Sequence, residues 1–519
     1  MSTPLHTAAY IHANLYKDSV ALMRVAQRLL ALPGVVNATL QMGNPANKDI
    51  LSEAGLLGPA VKDAGPSDIM VVMQARSAAQ CAAALAESKA QLAGTEKGSA
   101  RLGSADQGTA ATVARCTLAQ GAAARPGANL AQISVPGAYA AAEALKALKL
   151  GLNVFLFSDN VPLAQEVAIK QEATRRGLLV MGPDCGTAII GGVPLGFANA
   201  VRRGSIGVVA ASGTGLQEVT TQIHRMGAGV SHAIGTGGRD LYTEVGGATM
   251  LQGIALLAQD PGTRVIAIVS KPPAAEVAAR VLAALQATGK PAVVLFLGSD
   301  DAAARGSQVR RAHTLVDCAA AAVKLAGIKR IAQAAYALPR RPAFAKTQRY
   351  LRALYAGGTF TAEAQVLWAR AGLKVWSNVA LSDALSLPNP RQRSREHTAL
   401  DLGDDAFTVG RPHPMIDQAA RIERLLSEAA DPSVCVVVLD VVIGWGAHAD
   451  PAAELAPAIV RAKAMARQGG RHLAVVGFVC GTEADPQQLS RQEATLRAAG
   501  MVLAGNSANA AWLAGQWVR

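Results

Sequence analysis

The sequence predicts an α/β protein built on parallel sheets, with a small α/β module in front. Three observations carry that prediction. From residue 130 short apolar runs alternate with helical patterns: LAQISV (130–135), NVFLFS (153–158), LLVM (178–181), SIGVVAA (205–211), VSHAIG (230–235), RVIAIVS (264–270) and PAVVLFLG (291–298). Strands alternating with helices imply a parallel sheet with both faces covered. The 519 residues are 50% apolar but only 4% aromatic, rich in Ala, with 50 Gly. Such small residues let helices and ligands approach a sheet closely. Finally, two long segments carry the same features in the same order.

The pieces follow in chain order. Residues 1–93 read as a module, with strands at 10–16, 35–42 and 68–74 and helices at 45–56 and 77–92. Asp18 or Ser19 is placed to cap the helix after the first strand, and Pro33-Gly34 to end it. Residues 94–128, rich in Gly, Ala, Ser and Thr without apolar periodicity, read as a flexible linker. A first α/β piece spans 129–200 and a second 201–328. A basic, Pro-containing connector, 329–347, leads to a last block at 348–519, with strands near 373–377, 434–440, 472–479 and 501–505.

Composition narrows the function. At 17% charged residues the chain is too apolar for disorder. No apolar run approaches the ~18–20 residues of a membrane span, and no membrane partner is expected. Met1–His12 lacks the charged-then-apolar pattern of a signal peptide, which predicts a cytoplasmic protein. The six cysteines (81, 116, 185, 318, 435, 480) are scattered without C-x-x-C and read as reduced thiols. The nine histidines form no ligand-spaced pair, so no metal site is expected. The net charge of +13 fits a solvated, Arg-rich surface or an anionic ligand such as phosphate, carboxylate or CoA. Nucleic acid is not expected, since aromatics are scarce and no reading motif is present.

The repeat is visible as G-T-x-x-x-E. Gly213-Thr214-Gly215-Leu216-Gln217-Glu218 matches Gly358-Thr359-Phe360-Thr361-Ala362-Glu363. Downstream, Asp260-Pro261 and Asp431-Pro432 each precede a strand, and LFLG (295–298) and GFVCG (477–481) each end one in Gly. In the first copy a strand runs into Ser212-Gly213-Thr214-Gly215 where a helix begins. Its backbone N–H groups, helix dipole and hydroxyls make a phosphate cradle. Gly357-Gly358-Thr359 offers the same chemistry less directly after a strand. Glycine in a tight strand-to-helix turn is the plain structural alternative for both.

At these residues the chain resembles the succinyl-CoA synthetase superfamily and is most similar to FdrA proteins, through the run GPDCGTAIIGGVPLGFANAVRRGSIGVVAASGTGLQEVTTQIHRMGAGVSHAIGTGGRDL (182–241). Residues 130–300 resemble the α subunit of that synthetase, and 350–519 the carboxy-terminal domain of its β subunit. The resemblance implies a Rossmann-like, CoA-binding-like domain at 129–200 and flavodoxin-like domains at 201–328 and 348–519. Two departures stand out. The superfamily's phosphorylated histidine lies in a G-H-A-G loop, where this chain reads Gly298-Ser299-Asp300-Asp301-Ala302. The glutamate supporting that histidine falls near Lys271. The Gly-rich CoA signature is not evident, and no ATP-grasp domain is present. The resemblance therefore implies an FdrA-like carbamoyltransferase subunit in purine or allantoin catabolism: oxalurate plus phosphate gives oxamate plus carbamoyl phosphate. Other subunits are implied as partners and a carbamate kinase as pathway neighbour. An ADP-forming acyl-CoA ligase subunit, with CoA, and a non-catalytic scaffold are the alternatives.

Candidate site residues follow. Ser212, Gly213, Thr214, Gly215, Gly357, Gly358 and Thr359 are expected to hold phosphate. Arg239, beside Gly237 and Gly238, is suited to a bidentate anion contact or to a surface turn. Lys271 is an anion ligand or a solvated lysine. His413, in Arg411-Pro412-His413-Pro414, is an acid/base or anion-binding candidate or a surface-loop residue; Asp440, Gly444 and Gly446 are expected at the substrate, and His448 in the same run is an acid/base candidate. Asp184, Cys480 and Gly481 are expected at the substrate, and Cys185 as packing rather than nucleophile. The run Arg391–Arg395 reads as solvated or partner-facing rather than catalytic.

Overall fold

The computed structural model describes residues 5–15, 17, 19–44, 47–48, 51–52, 54–98, 117–299, 308–328, 336, 339–408 and 411–519. They form two compact units: residues 1–114 with 408–412, and residues 115–407 with 413–519.

The first unit holds a three-stranded antiparallel sheet, β1 (His6–His12), β2 (Val35–Met42) and β3 (Ile69–Ala75), with β3 in the centre. Helices α1 (Ser19–Leu30) and α2 (Ala78–Gly98) cover it through Leu22, Val25, Leu29, Cys81 and Leu92. The first strand lies four residues before the expected 10–16. Asn14 ends it, turning left-handed at φ 54° and donating its backbone N–H to Asp68. The expected linker is partly helical: α2 runs to Gly98, and α3 (Leu118–Ala124) follows with Thr117 and Gln120 in a capping box. Residues 99–116, with Cys116, lie outside the described residues, as do Asp18, Asp300-Asp301-Ala302 and most of the connector.

The second unit contains three sheets. β4 (Leu130–Ile133), β5 (Asn153–Leu156) and β6 (Val180–Met181) are parallel, with α4 (Gly137–Lys149) and α5 (Leu163–Arg176) between them. A hairpin, β7 (Thr187–Ile190) and β8 (Val193–Gly196), turns at Gly191-Gly192, both with positive φ. It joins the edge of the second sheet, where Pro194 needs no ladder donor.

That second sheet continues with β9 (Arg203–Ala210), α6 (Gly213–Arg225), β10 (Val230–Gly235), α7 (Ala248–Gln259), β11 (Val265–Ser270), α8 (Ala275–Ala287), β12 (Ala292–Phe296), β13 (Val309–Arg311) and α9 (Leu315–Leu325). Its order is β13-β12-β11-β9-β10-β7-β8. The third sheet holds β14 (Tyr350–Tyr355), α10 (Gly358–Arg370), β15 (Val375–Ser377), β16 (His397–Asp401), α11 (Ala419–Ala430), β17 (Val434–Val442), α12 (Pro451–Gln468), β18 (Ala474–Cys480), α13 (Leu489–Ala498), β19 (Val502–Leu503) and α14 (Ser507–Trp517). Its order is β15-β16-β14-β17-β18-β19.

The repeat is therefore one of topology. With β9 matched to β14, β10 to β16, β11 to β17, β12 to β18 and β13 to β19, both copies have the flavodoxin-like order 2-1-3-4-5, and β15 is an extra edge. The two copies pack through α6, α9, α10 and α14. One core runs through both, from Leu216, Val219 and Ile223 to Phe360, Trp368 and Phe478. The glutamates of G-T-x-x-x-E explain themselves here. Glu218 accepts from the Ser507 N–H (3.4 Å) at the start of α14, and Glu363 from the Leu315 N–H (2.7 Å) at the start of α9. Each copy's glutamate thus caps the last helix of the other.

Candidate functional site: paired helix N-termini

In an open α/β sheet the crevice lies beyond the carboxyl ends of the strands, where strand order reverses. In both copies that point is the turn after the first strand. β9 ends at Ala210 and α6 starts at Gly213; β14 ends at Tyr355 and α10 starts at Gly358. The spacing is the same, so the second cradle follows its strand as directly as the first, contrary to the sequence reading.

The two helix starts touch. Ser212 caps α6 by accepting the Gly215 N–H (2.9 Å), and its hydroxyl is also bonded to that of Thr359. Thr214 lies on Gly357: a Cβ there would stand 2.4 Å from the Thr214 methyl and 2.7 Å from its hydroxyl. Thr359 lies against Gly215 in the mirrored way, 3.1 Å from the place of its Cβ. The side-chain hydroxyls of Ser212 and Thr359 therefore join the two helices. The backbone N–H groups of the first turns are donors that no helix satisfies internally. Gly357 caps α10 without a side-chain hydrogen bond.

Lys271, directly after β11, is exposed and enters no ion pair among the described residues. Its Nζ and the Asp401 Oδ2 flank Gly358, 2.9 and 2.8 Å from where a Cβ would stand. Asp401 ends β16 and was not singled out from sequence; the LDLGDD run after a strand was the available signal. Burial pushes its carboxyl up to about 7 against the pull of Lys271. Asp184 stands at the mouth of the same crevice, open to solvent on one side. Desolvation, then Asp159 and Asp405, raise it to about 6, while Lys271 and Arg239 pull it down. Gly237 packs on Pro183, whose carbonyl would be 2.2 Å from an added Cβ, and Gly238 faces Asp184 at 3.8 Å.

His413 reaches the crevice too. Its Nδ1 accepts the Met415 N–H (3.2 Å), which leaves the proton on Nε2, beside Gly403. Burial, with Arg421, lowers it to about 4. At neutral pH it is an uncharged N–H donor, which suits the anion-binding alternative more than the acid/base one.

Other candidates are used inside the protein. Arg239 bonds Glu166 (Nε–Oε2 3.0 Å) and the Val161 carbonyl (2.7 Å), so it holds a protein carboxylate. Its neighbour Asp240 is buried, pairing with Lys170 (2.8 Å) and capping α7 at Thr249 and Met250. Asp440 is buried between Arg421 and the Ala356 N–H (3.0 Å), and so supports the turn before Gly357 without facing a ligand. His448 accepts from Asp450 N–H through Nδ1 and meets Glu454 through Nε2 (3.0 Å), at the start of α12. Cys480 lies in the shared core, its thiol pushed far up by burial. An added Cβ on Gly481 would lie 2.1 Å from Ile443. Gly444 and Gly446 let their loop pack on Ala198 and Phe197. Burial likewise pushes the Cys185 thiol up to about 12, in keeping with packing.

Repeat order and paired cradle define a protein of the succinyl-CoA synthetase superfamily, and comparisons agree. Family models match as "CoA-ligase" over 354–517, "CoA binding domain" over 201–298 and "AllF, heavy metal-associated domain" over 5–110. YahF of Escherichia coli (strain K12) is 42% identical over 520 residues, covering 98% of each chain. The chain belongs to the YahF family. The ADP-forming sulfoacetate-CoA ligase subunit SauD of Bilophila wadsworthia is 28% identical over 28% of this chain and 50% of its own. The α subunit of the ADP-forming succinate–CoA ligase of Aquifex aeolicus is 29% identical over 28% and 48%. The chain thus spans about half the length of these two ligase subunits. A dinucleotide-forming acetyl-coenzyme A synthetase from Ca. Korarchaeum cryptofilum aligns over 75% of this chain and 82% of its own, at 14% identity and a TM-score of 0.32.

Two groups implied by those family names can be tested against the residues. The CoA match falls on 201–298, not on the 129–200 segment expected to carry it. There, the turn into α4 is closed: a Cβ on Gly137 would lie 2.3 Å from the Asp159 carbonyl, so the backbone packs on protein where a pyrophosphate would need room. In the N-terminal module Cys81 is buried and its thiol donates to the His6 and Met73 carbonyls, which does not fit a metal ligand.

Proposed function

We propose that this chain is the subunit of a succinyl-CoA synthetase-type enzyme that handles an acyl or carbamoyl phosphate directly, without a phosphohistidine. The observation that carries this is the meeting of the α6 and α10 N-termini beside Lys271, which lies against Gly358 and enters no ion pair among the described residues. The sequence has no histidine between His232 and His313, where the carrier loop would lie. Two helix dipoles, their free N–H groups and one ammonium suit a dianionic phosphate.

The finer reading is carbamoyl transfer, as the FdrA resemblance implies, and the AllF-named module is compatible with it. Phosphate oxygen attacks the carbamoyl carbon of oxalurate; the C–N bond breaks, and the departing nitrogen takes the phosphate's proton, giving oxamate and carbamoyl phosphate. Backbone N–H groups and Lys271 would stabilise the oxyanion and reduce repulsion between two anions. Other subunits would complete the enzyme. The second reading, an ADP-forming acyl-CoA ligase subunit, is favoured by the ligase names of its curated relatives.

One assay separates them. The full chain with candidate partner subunits receives oxalurate and phosphate, and carbamoyl phosphate is read by coupling to carbamate kinase and ADP. ATP formation that is lost in Lys271→Met supports the first reading. ADP release dependent on CoA, ATP and a carboxylate, with no carbamoyl phosphate, replaces it with the second.

A further inference from the structure

β1 differs from every other sheet edge among the described residues. An edge strand carries outward N–H and C=O groups, and proteins guard such edges with short strands, bulges, proline or charged side chains. β4, β6, β8, β13, β15 and β19 are two to four residues long, and β8 also holds Pro194. β2 is longer but shifts register between Val35 and Asn37. β1 has none of these guards. It is seven residues long and reads HTAAYIH, without Lys, Arg, Asp, Glu or Pro. It runs in unbroken register beside β3, from His6 opposite Ala75 to His12 opposite Ile69, and β3 is its one strand neighbour among the described residues.

In an antiparallel pair every second residue turns its N–H and C=O away from its neighbour, so β1 offers a row of them on its outer side. No residue of β1 is buried, whereas β3 buries all but Gln74. Yet both apolar clusters of the module extend to β1: Ala8 and Tyr10 pack on one, Ala9 and Ile11 on the other. Tyr10 is held by the Ser88 hydroxyl (3.2 Å), with the Lys89 ammonium 4.9 Å from its ring centre. Both cores therefore end at a strand that is itself half open.

The strand's own sequence says what fits there. A strand laid antiparallel on β1 must keep like faces together, because a slip of one residue turns apolar side chains to the wrong side. β1 meets this condition when turned about Ala9. Ala9 then faces Ala9, Ala8 faces the larger Tyr10, Thr7 faces the β-branched Ile11, and His6 faces His12. Small meets large, and β-branched pairs suit cross-strand contact. That register pairs all seven residues, and any other that keeps the faces together pairs fewer. A contact of this kind is isologous, so it closes at two copies.

We infer that β1 is a dimerisation strand: two copies of the chain pair β1 on β1, antiparallel about Ala9, and join their three-stranded sheets into one of order β2-β3-β1-β1-β3-β2.

Sedimentation equilibrium of the full chain from about 0.5 to 50 µM tests this; one strand pair is a small interface, so association at roughly micromolar concentration is expected. Thr7 is exposed and its hydroxyl accepts only from the Gln74 side chain (3.3 Å), so Thr7→Lys guards the edge without touching a core. It should weaken the dimer about tenfold or more. Val36→Lys, at an exposed place on the opposite edge strand, should leave it unchanged. Disulfide trapping under mild oxidation reads the register. Ala9→Cys stands opposite itself and should cross-link the dimer. Thr7→Cys is more exposed and should react readily with a soluble maleimide, but it faces Ile11 and should not cross-link. The wild type, whose described cysteines are all buried, is the blank. A chain that stays monomeric over the whole range, with the edge covered by something else, overturns the inference. So does a dimer indifferent to Thr7→Lys, or Thr7→Cys cross-linking as fast as Ala9→Cys.

Discussion

Gly357→Ala isolates the contact that joins the two repeats. The φ of Gly357 is −163°, extended backbone that alanine adopts without strain. The added methyl instead meets Thr214, 2.4 Å from Cγ2, 2.7 Å from Oγ1 and 3.1 Å from Cβ. Thr214 is buried and the touching atoms sit at its branch point, so it cannot swing away. Overpacking of this kind costs about 1–3 kcal/mol. Exchanging glycine for alanine at an N-cap adds roughly 0.5–1 kcal/mol. The expected loss is about 1.5–4 kcal/mol, or roughly 2–5 °C in Tm at about 2.1 cal/mol/K of unfolding entropy per residue over a unit of this size. Thermal unfolding of a double-mutant cycle reads it. Thr214→Ser removes the methyl that would collide, so Gly357→Ala should cost at least about 1 kcal/mol less in that background. A Gly357→Ala protein as stable as wild type, or one that Thr214→Ser does not rescue, would refute the packing of the two helix starts.

Three further outcomes follow from the same geometry. Gly358→Ala places its methyl against Lys271 and Asp401 rather than against the other helix, so phosphate affinity should fall about tenfold or more with little loss of Tm; unchanged affinity would remove the phosphate from over Gly358. Asp440→Ala strands the buried Arg421 and the Ala356 N–H, and should cost about 3–5 kcal/mol by thermal denaturation; a loss below about 1 kcal/mol would contradict its supporting role. Glu363 is raised from its ordinary 4.5 to about 7 by burial, with Glu218 and Asp317 adding to the shift and Ser507 and the Leu315 N–H opposing it. A carboxyl raised on folding stabilises below its unfolded value and loses that contribution as pH climbs to its folded one. Glu363→Gln should therefore gain on wild type by about 1–3 kcal/mol between pH 4.5 and 7, read as a widening Tm difference; a constant difference would show that Glu363 does not titrate there.

Much of this architecture was legible because its signals are local. Strand periodicity, the G-T-x-x-x-E pairs and the Gly-rich turns lie within a few residues of one another, and each encodes a strand running into a helix. The run IIGGVPLG also carried a readable hairpin signal in Gly191-Gly192, passed over because the helix-strand rhythm dominated there. Two strands of the last block were not singled out, β14 (YLRALY) and β16 (HTALD). Arg352 lies inside β14 and His397 opens β16, and both break the apolar pattern. Their polar atoms find partners only in the folded chain: Arg352 pairs with Glu428 (2.9 Å), and His397 accepts the Leu351 N–H (3.2 Å).

Backbone preference and apolar period act over short range, so the α/β class, the duplication and the two Gly-Thr turns at helix starts are already written in the sequence. Tertiary packing sets which polar residues are left available. Arg239, Asp440, His448 and Cys480 carry suitable chemistry, but each is taken by a protein partner or by burial. Asp401 carries only the weak signal of LDLGDD after a strand, yet it lies against the start of α10 because β16 lies beside β14. Whether a polar group is available depends on what else satisfies it. Those partners come from residues as far apart as Glu218 and Ser507, which only the packing of one repeat on the other brings together.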